Sequence, residues 1–124
     1  MTMRTPIARV RGLGSAKNGT HHWWMQRLTA IALVPLTMWF VISVIRLAGA
    51  DHAQVSTWLA SPLPAVLMLL LIVATFHHLQ LGLQVVIEDY VHGEAVKLGC
   101  IIGVKLASVA LAVAAMFAVL KAAF

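Results

Sequence analysis

The chain has 124 residues, 61% of them hydrophobic and only 10% charged, with a mean hydropathy of +0.92. A soluble domain is roughly 45–50% apolar and about 25% charged, so this is an integral membrane protein, too short for more than one small bundle. Its net charge of +5 gathers ahead of the first apolar run, at Arg4, Arg9, Arg11 and Lys17, which reads as a cytoplasmic membrane flank and not as a nucleic-acid site. The single cysteine, Cys100, rules out an internal disulfide and a multi-cysteine metal cluster within this chain.

Residues 1–22 form a polar, basic tail in which Gly12, Gly14 and Gly19 oppose helix. The tail has neither the apolar core of a secretory signal nor the character of an organellar presequence, which points to a bacterial inner membrane. Residues 27–48 form the first span: Leu28 to Ile45 carries no charge, and about 20 apolar residues cross the hydrocarbon. Pro35 is tolerable there because neighbouring helices can satisfy the freed carbonyl. Trp23 and Trp24 stand where an aromatic belt belongs. Ala48-Gly49-Ala50 resembles a cleavage site, but the run before it is too long for a signal, so the span is expected to stay.

Ala48 to Ser61 reads as a short polar connection. Pro62 and Pro64 then open the second span, 64–87, since the first helical turn needs no donated hydrogen bond. Glu88 to Lys97 is a second polar turn broken at Gly93. The third span is 98–120, with Lys105 able to snorkel to the interface and Gly99 and Gly103 in a small-xxx-small pattern. The expected fold is therefore all-α, an integral membrane bundle of three transmembrane helices. The Lys/Arg bias sets the N-terminus in the cytoplasm and the C-terminus outside.

The chemistry concentrates in Phe76 to His92. An ionisable residue within a span is a functional-site candidate by default. Eleven steps of about 100° bring Asp89 back to nearly the face of His78, roughly 16 Å along the axis, with Gly82 one turn after His78 on that face. The stripe offers an imidazole, a gap for something flat, then a carboxylate and the Tyr90 phenol near water. It suits a buried metal macrocycle with a small polar-headed molecule nearer the surface. His77 points about 100° away and cannot serve the same ligand. Two readings stay open for His78: an interhelical hydrogen bond, or an axial haem ligand whose trans partner comes from another chain. Asp89 and Tyr90 are either an interfacial helix end or a proton-linked quinone contact. Arg27 is either a positive-inside anchor or a partner for carboxylates at the membrane edge.

The residues also carry a resemblance. His78, Gly82 and Asp89-Tyr90, together with Asn18-Gly19, His21, Arg27 and Thr29-Ala30-Ile31, stand at the spacings of the smaller cytochrome b membrane anchor of succinate dehydrogenase, the hydrophobic anchor of respiratory complex II. The likeness covers nearly the whole chain. It departs at His77, where the better-known enterobacterial pattern has a single histidine. The resemblance implies that His78 is one axial ligand of a single haem b, the other coming from a second cytochrome b anchor. It implies that Tyr90 hydrogen-bonds ubiquinone with Asp89 in the proton route, and that His21 and Arg27 lie near the haem propionates. The implied partners are that second cytochrome b anchor, the iron–sulfur subunit, the flavoprotein subunit and membrane lipid. The chain would anchor the complex without itself carrying the dehydrogenase chemistry. The other classes are the anchor of a related quinol:fumarate reductase and a membrane scaffold without haem.

Overall fold

The computed structural model describes residues 17–124, with side chains from residue 20 onward. Most of the basic tail therefore lies outside the described residues. The described chain is helical almost throughout: α1 (Lys17–Arg46), α2 (His52–Ala60), α3 (Pro62–Tyr90) and α4 (Glu94–Ala123). Three of these are long and apolar enough to cross a membrane, over Thr20–Arg46, Pro62–Tyr90 and Glu94–Ala123.

Local chemistry sets each boundary. The first span ends in a tight turn at Gly49, whose φ of 82° suits a residue without a Cβ. The connection expected to be polar coil is instead the nine-residue helix α2. Asp51 accepts from the Gln54 amide at 2.8 Å, and the Gln54 side chain accepts from the Asp51 amide at 3.0 Å. This reciprocal pair is a capping box, which satisfies two orphan donors at once. Ser61 and Pro62 then start α3, with proline in the first turn, where its missing N–H costs nothing. The polar turn after α3 is shorter than the sequence suggests: α3 continues to Tyr90 and α4 resumes at Glu94 after Gly93.

α3 is the central element. It packs against α1 on one side and α4 on the other, while the backbones of α1 and α4 do not approach each other within 8 Å among the described residues. The short α2 closes the end of the bundle where α3 begins, packing on α3 and α4. Its Trp58 stacks on Trp39 of α1 with ring centroids 5.7 Å apart, and its Ser56 hydroxyl donates to the Ala122 carbonyl.

Few side chains are enclosed. The buried apolar set is Leu59, Ile72, Ala74, Leu81 and Ala123, and only 6–17% of each spanning window is buried. Such helices must meet lipid or other chains on most of their surface. The faces around Gly99 and Gly103 are likewise open, with nothing within 4 Å of where a Cβ would stand. The small-residue pair therefore does not mediate packing within this chain.

Candidate functional site

Two hydrogen bonds close the seam between α1 and α3. His22 and Thr29 are seven residues apart on α1, so they share a face to within about 20°. His22 Nε2 lies 3.2 Å from the Leu81 carbonyl oxygen. A carbonyl only accepts, so Nε2 is the donor. Deeper along the seam, the Thr29 hydroxyl oxygen is 2.9 Å from His78 Nδ1. The same oxygen is 2.8 Å from the Met25 carbonyl and 3.1 Å from that of Gln26. Thr29 is buried at 8% exposure, among the few polar side chains enclosed in the chain. Bonds of this kind between spanning helices are each worth about 0.6 kcal/mol, so their larger effect is to fix register and orientation.

The neighbouring histidines have different surroundings. His77 Nε2 is the one buried side-chain nitrogen or oxygen without a hydrogen-bond partner among the described residues. It lines a cavity of about 470 Å³ with His21, His22, Gln80, Gln84 and Lys105, set in the groove between α1 and α4. His78 is half-buried, and its Nε2, which makes no hydrogen bond among the described residues, is left partly accessible. Gly82 borders the same side of α3, and nothing lies within 4 Å of its notional Cβ. Leu79, Leu83 and Val86 continue that face around the helix and are all exposed.

At the end of α3, Asp89 and Tyr90 are exposed, the phenol at 77%. Glu88 accepts from the Gln84 side-chain amide at 3.1 Å, one turn back on the His77 side of the helix. Arg27 is exposed, and its guanidinium stands 5.3 Å from the Trp23 ring centre. That is a cation–π contact at the membrane edge, and its planar N–H donors remain free for a carboxylate. His21 lies six residues before Arg27, about 9 Å along α1 and about 120° around it. The structure thus brings His78 together with Thr29 and sets His21 with His22 and His77. Arg27, Asp89 and Tyr90 stand apart on outward surfaces.

Sequence spacing singled out His78 but not its partner. Thr29 stands in the sequence only as one residue of the resembling first-span pattern, with no role attached; the usable physical signal is its seven-residue offset from His22, which places two polar groups on one helical face. Among the described residues, no three of His, Cys, Asp and Glu gather as a metal site.

The chain is similar to known membrane-anchor proteins. Residues 1–120 match the family model described as succinate dehydrogenase/fumarate reductase transmembrane subunit. A succinate dehydrogenase hydrophobic membrane anchor subunit of Rickettsia bellii is 36% identical over 116 residues, covering 94% of this chain and 93% of the relative. The protein of the same name from Paracoccus denitrificans is 35% identical over 100 residues, covering 81% and 78%. A succinate dehydrogenase membrane anchor subunit from Reclinomonas americana is 29% identical over 85 residues, covering 66% and 71%. No solved structure matches the chain at a significant level.

Proposed function

Because the chain belongs to the succinate dehydrogenase/fumarate reductase transmembrane subunit family, we propose that it is the membrane anchor of a succinate:ubiquinone oxidoreductase, supplying one axial ligand to a haem b and part of the ubiquinone site. The family name covers both reaction directions, and the relatives named above are succinate dehydrogenase anchors. That favours succinate oxidation over fumarate reduction.

The observation that carries the haem reading is the pair of environments around His78. Its Nδ1 is held by Thr29 while Nε2 opens outward beside the bare backbone of Gly82. A haem shared by two chains needs a ligand that points out of its own bundle, with its other ring nitrogen anchored. His77 lacks the anchor, since its Nε2 is enclosed with no hydrogen-bond partner among the described residues. When bound, haem b supplies a one-electron site whose potential depends on its axial ligands and their hydrogen bonds.

His78 Nε2 would hold the iron from this chain, and the second cytochrome b anchor would supply the remaining protein ligand. Arg27, and His21 at the cavity mouth, would meet the propionates through charge-assisted bonds. Tyr90 would donate its phenolic proton to a carbonyl of ubiquinone as hydrogen-bond partner, with Asp89 relaying protons from water. The exposure of both groups in the isolated chain fits a pocket completed by the second anchor and the iron–sulfur subunit. Electrons would arrive from the flavoprotein through the iron–sulfur subunit. This chain's share is anchoring, a ligand and a proton-accessible edge. The chain sits in a bacterial inner membrane with its N-terminus cytoplasmic, which an active periplasmic reporter fused at the C-terminus would support.

The decisive experiment is purification of the complex with its partners, followed by an optical spectrum of the native protein and of His78→Leu and His77→Leu. The expected result is a low-spin b-type spectrum in the native complex and in His77→Leu, lost or converted in His78→Leu. An unchanged reduced spectrum in His78→Leu rejects the ligand assignment. A colourless native complex with all partners present rejects the haem altogether and favours a bare scaffold.

A further inference from the structure

We propose that Thr29 is a positioning residue for the His78 imidazole: its hydroxyl oxygen accepts the Nδ1 proton and so commits Nε2 to act as the ligand. This inference rests on the haem reading above.

The argument is a count of protons. The Thr29 oxygen has close polar contacts at 2.8 Å to the Met25 carbonyl and at 2.9 Å to His78 Nδ1. Each such contact requires a hydrogen between the two atoms, since otherwise lone pairs face each other. The carbonyl has none to offer and the hydroxyl has only one. If that proton went to Nδ1, the shorter contact to Met25 and the 3.1 Å contact to Gln26 would both be left without one. Both short contacts are satisfied only when the hydroxyl donates to the backbone and Nδ1–H donates to the hydroxyl. The neutral ring then carries its proton on Nδ1 and presents the Nε2 lone pair at the bundle surface.

The geometry also explains why threonine suits this place. Its hydroxyl is pinned to its own helix one turn back, which fixes the direction of its accepting lone pair. Thr29 is itself buried and therefore shielded from competing water. A hydrogen bond from the far side of a ligating imidazole raises the ring's basicity and holds its plane. Removing that acceptor should weaken donation to iron, favour the ferrous state and free the ring to rotate.

The test uses the complete complex carrying Thr29→Val, Thr29→Ser or His78→Leu. The readouts are the haem midpoint potential, the low-spin electron paramagnetic resonance g values and haem retention on dilution. In Thr29→Val the potential should rise, the g values should move, and haem should be lost about tenfold more readily, the low end for loss of such an outer partner. Thr29→Ser, which keeps the hydroxyl, should restore all three. If Thr29→Val matches the native complex while His78→Leu loses the low-spin signal, the Thr29 role is overturned and the ligand reading stands. If His78→Leu keeps the native signal, both fall together. Should the valine variant not assemble, Thr29→Cys, a poorer acceptor of similar size, decides between the same outcomes.

Discussion

Replacing His77 with leucine should leave the haem spectrum intact and make the assembled protein slightly more stable. The reasoning starts from the enclosed Nε2, which has no partner among the described residues. A buried polar atom in that state costs about 1–3 kcal/mol, and leucine removes the atom while filling similar space. Its new neighbours are suitable, since Val73, Phe76, Val109, Ala112 and Met116 line the cavity on the α4 side of the ring. Gln80 lines the cavity on the other side, and a small shift of its amide would give the nitrogen a partner. That relief pulls the expected gain to about 1 kcal/mol, the low end of the same range. A gain of that size is roughly a fivefold change in the folded-to-unfolded ratio. It should be readable as a higher denaturation midpoint of the detergent-solubilised complex, with the haem band recorded in the same samples. A loss of about 2 kcal/mol or more, beyond what a tolerated core swap costs, would refute the reasoning. So would loss of the low-spin haem. Either result would mean that the nitrogen finds an essential partner in the assembly.

Two further substitutions probe separate parts of the chain. On the proposed quinone role, Tyr90→Phe would remove one hydrogen bond, and a bond worth about 1–1.5 kcal/mol predicts a loss of roughly tenfold in quinone reduction. Succinate oxidation with an artificial acceptor should hold, and equal losses in both assays would count against a quinone contact. Asp51→Ala breaks the capping box of α2 at a cost of about 1 kcal/mol. Amide exchange across residues 52–60 should quicken several-fold while the haem spectrum stays put; unchanged exchange would show that α2 is held by its packing alone.

Much of the fold can be read from the residues one helix at a time. Long apolar runs locate the three membrane helices, free of Asp, Glu, Lys and Arg in the first two and broken only by Lys105 in the third, and Pro62 and Gly93 mark the starts of the second and third because backbone chemistry there is local. The rule of about 100° per residue separates His77 from His78 before any packing is known. What the chain does not reveal by this reading is pairing between helices. The bond from His78 to Thr29 crosses 49 positions, and no single-helix period encodes it. Helix α2 is missed for another reason: Asp51 and Gln54 spell out a capping box, but nine residues are too few for hydrophobic periodicity to stand out from a polar loop. Arg27 likewise reads as a plain anchoring charge, and its seat over Trp23 emerges only when the side chains are placed.

The bond from His22 to the Leu81 carbonyl works as a latch between parts of the chain 59 positions apart. It holds the opening turns of α1 against the closing turns of α3. Cutting it would free the start of α1, while α3, still braced by α4, keeps its Asp89–Tyr90 end in place.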